Sequence, residues 1–123
     1  PSTRTQATLV ALIKDTMVPM EIRRQALMSL GRAFPSTALD TLRPRILEGV
    51  VQIKEAAVLA TIPLEDRRVA PLLQDRLVRE TDLVVRAAVE KAIKDRRLRK
   101  ERAQKKKPEP ILTPLRPDQR DGL

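Results

Sequence analysis

Glu65 and Asp66 are adjacent carboxylates, and paired carboxylates are the groups that general acid–base chemistry uses. Neighbours in sequence do not present two carboxyls to a substrate from opposite sides, as a glycosidic pair must. They read instead as acids near a helix N-terminus, where negative charge suits the helix dipole. The 123 residues include no His and no Cys. Ser-His and Cys-His nucleophile pairs are therefore excluded. Thiolate and imidazole metal sites and a disulfide framework are excluded with them. There is no Gly-rich phosphate loop either. An enzyme here would rely on Lys, Asp/Glu or Ser/Thr alone. The expectation is a non-enzymatic protein with no cofactor and no metal.

The residues with clear binding chemistry are basic. The chain carries 25 Lys+Arg against 16 Asp+Glu, a net charge of +9. Residues 1–94 hold 15 basic and 11 acidic side chains, whereas residues 95–107 hold eight and two. Arg96, Arg97, Arg99, Lys100, Arg102, Lys105, Lys106 and Lys107 make up that run. A field so concentrated attracts phosphate or an acidic protein surface. Bases could not stack here, because the run has no aromatic residue. Membrane binding is disfavoured, since Leu98 is its only bulky apolar anchor. The bland alternative is a solvated helix end without a ligand.

A second candidate is the segment 108–123, PEPILTPLRPDQRDGL, with four prolines. It cannot be a helix interior and reads as an extended arm. Such segments lose little entropy on docking. Ile111, Leu112 and Leu115 are its apolar anchors.

Positioning these segments requires a body. Hydrophobic residues are 41% of the chain, with three Gly, one Phe and neither Trp nor Tyr. Ala, Leu, Arg, Glu and Lys dominate, and all favour helix. The expectation is all-α. Helices are expected over about 5–15, 20–33, 38–49, 51–60 and 64–79, with a sixth from 81 or 82 to about 104. In the second, Ile22, Ala26, Leu27 and Leu30 form one apolar face, and Gly31 is a candidate cap unless Arg32-Ala33-Phe34 prolong the helix. Thr37 and Asp40 read as a capping-box variant opening the third, with Ser36 the other possible cap. Pro44 and Pro71 fall inside the expected third and fifth helices. No apolar run approaches the length needed to cross a bilayer. The N-terminus lacks signal-peptide features. An intracellular (cytoplasmic) or virion-interior location is expected, not a secreted one.

Three segments repeat at spacings of 31 and 32 residues: IRRQALMSL from Ile22, IKEAAVLAT from Ile53 and VRAAVEKAI from Val85. A fixed period with paired helices implies units that bury their faces by stacking. Over about residues 7–94 the chain resembles a HEAT-type α-helical repeat protein. The third unit, VAPLLQDRLVRETDLVVRAAVEKAI, matches the family's pattern best. The resemblance puts Pro71 at the first-helix proline, Asp82 or Glu80 at the turn acid, and Val85-Arg86 at the start of the second helix. It implies a short right-handed stack of about six helices. It also implies a ladder with Asp15, Glu48 and Asp82 near Arg23, Lys54 and Arg86. The family's metal-using hydroxylases need His-Glu pairs, and its DNA glycosylases use aromatic residues of which only Phe34 is present.

The organisation expected is a helical body over 1–94, a basic extension of the last helix over 95–107, and an arm over 108–123. The function expected is a structural or adaptor subunit of a larger assembly, docking on neighbouring protein subunits through its helical face and arm. Phage connector-type virion components share this plan. The alternative is a nucleic-acid-binding module, ribosome-associated or DNA-organising, with the basic run on phosphates.

Overall fold

Short breaks cut the helix-forming sequence into six α-helices. The structure is a computed structural model that describes residues 2–106. The elements are α1 (Thr3–Lys14), α2 (Met20–Ala33), α3 (Leu39–Glu48), α4 (Val51–Ala60), α5 (Val69–Arg79) and α6 (Leu83–Lys106). The described residues contain no strand, so the fold is all-α. The arm, with Ile111, Leu112 and Leu115, lies outside the described residues, as does Lys107.

Each boundary has a local cause. Ser2 opens α1 by accepting the Thr5 N–H on its Oγ at 3.1 Å, which starts the helix two residues before the expected Thr5. Pro19 is the N-cap of α2, where its missing N–H costs nothing. The expected capping box of α3 does not form. Its N-cap is Ala38, in helical conformation and without a side-chain cap bond. The preceding turn is already helical, with the Thr37 and Ala38 N–H groups both donating to the Phe34 carbonyl. Thr37 Oγ1 instead accepts from Gln6 Nε2 of α1 at 2.8 Å. Asp40 pairs with Arg68 at 3.1 Å.

The largest departure is α5, which begins at Val69 rather than Leu64. Residues 61–68 are turn and loop, and the later start leaves Pro71 in the first helical turn, where proline is tolerated. Pro44 does sit inside α3.

The helices pair as α1 with α2, α3 with α4, and α5 with α6, while α2, α4 and α6 pack against one another in sequence. Cross-contacts fix their sense. Arg24 meets Glu55, Gly31 meets Ala60, and Thr61 meets Arg96. Partners advance together along the chain, so α2, α4 and α6 run parallel as an inner layer, with α1, α3 and α5 outside. This arrangement is compatible with a helical repeat.

The core is aliphatic and continuous. Leu27 and Leu30 of α2, Ile53, Ala57 and Val58 of α4, and Val85, Val89 and Ala92 of α6 are all buried within it. Gly31 is not the cap proposed for it. It lies within α2, where a Cβ would collide with the Ala60 carbonyl oxygen of α4. Only glycine lets the two backbones come this close.

No helix among the described residues is long and apolar enough to cross a membrane.

Candidate functional site

The basic run divides into structural and exposed halves. On α6, Val85, Val89, Ala92, Arg96 and Arg99 follow i, i+4, i+7, i+11 and i+14, which is one helix face. The first three are buried. The two arginines continue that stripe past the end of α4. Arg96 Nη1 donates to the carbonyls of Thr61 at 2.9 Å, Ile62 at 3.3 Å and Leu64 at 2.8 Å. Arg99 donates to Pro63 at 3.2 Å and Leu64 at 3.3 Å. A guanidinium at a helix C-terminus satisfies carbonyls that lack an intrahelical partner and complements the dipole. Burial and the neighbouring Arg99 charge lower the pKa of Arg96 below the usual arginine value.

Arg97, Lys100, Arg102 and Lys105 are exposed, and none forms an ion pair among the described residues. α6 continues through Lys106.

The turns reveal a surface the sequence reading did not single out. Exposed large apolar residues cluster at the three turns inside the hairpins. Met17, Met20 and Ile22 lie at the first, Val50 at the second, and Val78, Leu83 and Val84 at the third. Met17 is 88% exposed, Val78 82% and Leu83 81%. Because α2, α4 and α6 run parallel, these turns share one edge of the stack. The opposite edge holds the links 34–38 and 61–68 and the cationic end of α6. A strip of neighbouring exposed apolar side chains marks an interaction surface more than scattered ones do. Three apolar residues beside three successive breaks were a readable signal.

The inner layer carries two furrows, each of about 410 Å³. One lies between α2 and α4, with Met28, Ala56 and Leu59 among its walls and Arg24 and Arg32 on its rim. The other lies between α4 and α6. Leu59, Ala87 and Ala88 line it with Glu55 and Lys91, and Leu83 and Val84 join it to the exposed apolar edge. Leu59 is common to both.

The expected charge ladder is rearranged. Asp15 accepts the Met17 N–H, and Asp82 caps α6 by accepting the N–H groups of Val84 and Val85. Arg23 donates to the Ile13 carbonyl. The rung between the second and third hairpins runs from Lys54 to Glu80, at 3.6 Å. Glu80 is 5% exposed and also pairs with Arg76 at 2.9 Å. Burial pushes the Glu80 pKa up. Hydrogen bonds from Arg76 and the Asp82 N–H, with the charges of Lys54 and Arg76, outweigh that and hold it below the usual carboxylate value.

Glu65 and Asp66 do not form a carboxylate pair with a shared target. Asp66 accepts from the Arg68 backbone and guanidinium, bonds that lower its pKa. Glu65 is exposed. Among the described residues, no group of three or more Asp or Glu gathers where it could hold a metal ion. No family model, curated protein or solved structure matches the chain.

Proposed function

We propose that this chain is a HEAT-type structural subunit, without catalytic activity, that docks on a neighbouring protein of a larger assembly. The observation that carries this reading is the apolar edge, where three successive turns expose Met17, Val50 and Val78. Burying one such side chain against a partner contributes about 1.5–3 kcal/mol. Three in a row supply a modest, extendable contact.

The test is gel filtration of the chain under native conditions from the cells that make it. Its own mass is 13.9 kDa. The wild type elutes in a larger complex, and the triple variant M17E/V50E/V78E leaves that complex while its helical circular dichroism and melting temperature are retained. Co-elution of the variant with the wild type overturns the reading. Truncations that probe the arm belong after Lys106, not after Asp95, because the earlier cut also removes the arginines that hold the 61–64 carbonyls.

The exposed cations favour a second reading, phosphate binding by the projecting half of α6. Four contacts from Arg97, Lys100, Arg102 and Lys105 give a slope of about −3.6 for log affinity against log salt on duplex DNA. An affinity unchanged by salt removes this reading.

A further inference from the structure

We propose that the projecting half of α6 seats in the major groove of duplex DNA, with one cationic flank on each phosphate strand. This rests on the phosphate-binding reading above and names its ligand.

The outward line of α6 is open to a ligand. Lys54 of α4 faces the third hairpin, where it pairs with Glu80, and Val58, one turn on, is fully buried. The 32-residue spacing puts Arg86 and Glu90 at those positions of α6, and Glu90 is exposed. Glu101 and Gln104 continue its line at i+11 and i+14 and are exposed too. An apolar contact between hairpins thus gives way to a polar line turned to solvent.

The cations are arranged about that line. At about 100° per residue, Arg97 and Lys100 lie about 40° and 100° to one side of Glu101. Lys105 and Arg102 lie at the same angles on the other side. All four are exposed, and none forms an ion pair among the described residues. They fall within about 12 Å along the axis.

Two positive flanks with an acidic and amide line between them match a groove bounded by two phosphate strands. A helix with its side chains is about 10–12 Å across, and the major groove of B-DNA is about 12 Å wide. Seated there, the flanks meet phosphates while Glu101 and Gln104 face base edges. A carboxylate accepts from the cytosine amino group, and an amide pairs with adenine. An acidic protein surface facing the same line would meet Glu101 between the cations. Duplex RNA is disfavoured because its major groove is too deep and narrow for side chains to read. Single strands are disfavoured because α6 carries no aromatic residue on which bases could stack. The clamp at Arg96 and Arg99 fixes the helix against the body before binding, so little ordering cost remains.

Fluorescence anisotropy of the full chain on a 16-bp duplex DNA at 50 mM salt tests this, beside the same sequence as duplex RNA and as single-stranded DNA. The DNA duplex binds about tenfold tighter than the single strand, and tighter than the RNA duplex. R97A/K100A and R102A/K105A each empty one flank. Each weakens DNA binding about 200-fold and flattens the slope of log affinity against log salt by about 1.8. Their helical circular dichroism is unchanged, since all four side chains are exposed. K14A/R43A, which removes two exposed cations from α1 and α3, matches the wild type. Bound protein shields guanine N7, a major-groove atom, from dimethyl sulfate. Equal affinity for duplex RNA, N7 as reactive as in free DNA, or one flank lost without effect overturns the groove assignment. The phosphate reading still stands after any of these if affinity falls steeply with salt. Affinity that ignores salt removes both. Polyglutamate binding more tightly than the duplex assigns the flanks to an acidic protein surface and overturns the proposal.

Discussion

The Arg96 guanidinium lies 2.8 Å from the Leu64 carbonyl oxygen, reaching from the last helix to the link that follows α4. Thr61 and Ile62 share the same nitrogen. The Thr61 carbonyl also accepts the Leu64 N–H, and hydrogen bonds from a charged donor stabilise by about 1.5–3 kcal/mol. Arg96→Ala is expected to lower unfolding free energy in urea by about 2 kcal/mol. Arg97→Ala, an exposed neighbour, stays within about 0.5 kcal/mol. Equal midpoints for the two variants would show that the bridge contributes nothing.

Gly31 sets how closely α2 approaches α4. An exposed helix glycine gains about 1 kcal/mol on replacement by alanine. Here the added Cβ meets the Ala60 carbonyl oxygen, a backbone atom that cannot swing aside. Gly31→Ala should destabilise by about 1–3 kcal/mol, the range for overpacking. A raised denaturation midpoint would mean that the helices separate at no cost.

Glu80 makes stability depend on acid. Its folded pKa is held below the unfolded value, so its contribution is complete above about pH 4.3. That contribution fades as pH falls through the folded value. Glu80→Gln should cost about 2–4 kcal/mol at pH 7, because Lys54 and Arg76 keep their charges without a counterion. Its stability should also decline less between pH 4.3 and 2 than that of the wild type, as chemical melts at several pH values will report. Parallel pH curves would place the acid sensitivity elsewhere.

Much of the layout was legible because breaks and periods are local. The expected bounds of α2 and α4 coincide with the observed ones, since Pro19 and Thr61-Ile62-Pro63 end or start helices by backbone chemistry alone. The start of α5 at Val69 is not legible, because Leu64 continues an apolar pattern. Leu64 is indeed buried, but from a loop, and burial does not require helix. Gly31 was ambiguous for a different reason: a close approach between helices 29 residues apart leaves no trace in the local sequence. The site was harder to read. Arg96 and Arg99 look like the rest of the cationic run until the stripe from Val85 is followed to its end. For the Lys54–Glu80 rung, the resemblance names Lys54 as a ladder base and Glu80 as an alternative turn acid but not their pairing, because a contact between hairpins depends on side-chain reach. The furrows arise only when three separated helices lie side by side.

Clamping α6 at Arg96 and Arg99 also has a mechanical meaning. The helix leaves the body as a rigid spar with a fixed bearing, and its tip near Lys106 stands about 10 Å beyond the last clamp. The position from which the chain continues is therefore set by helix length and by the two clamping arginines, not by a flexible hinge at the end of the body. Inserting or deleting one helical turn after Arg99 would move that point by about 5.4 Å along the axis while leaving the clamp intact.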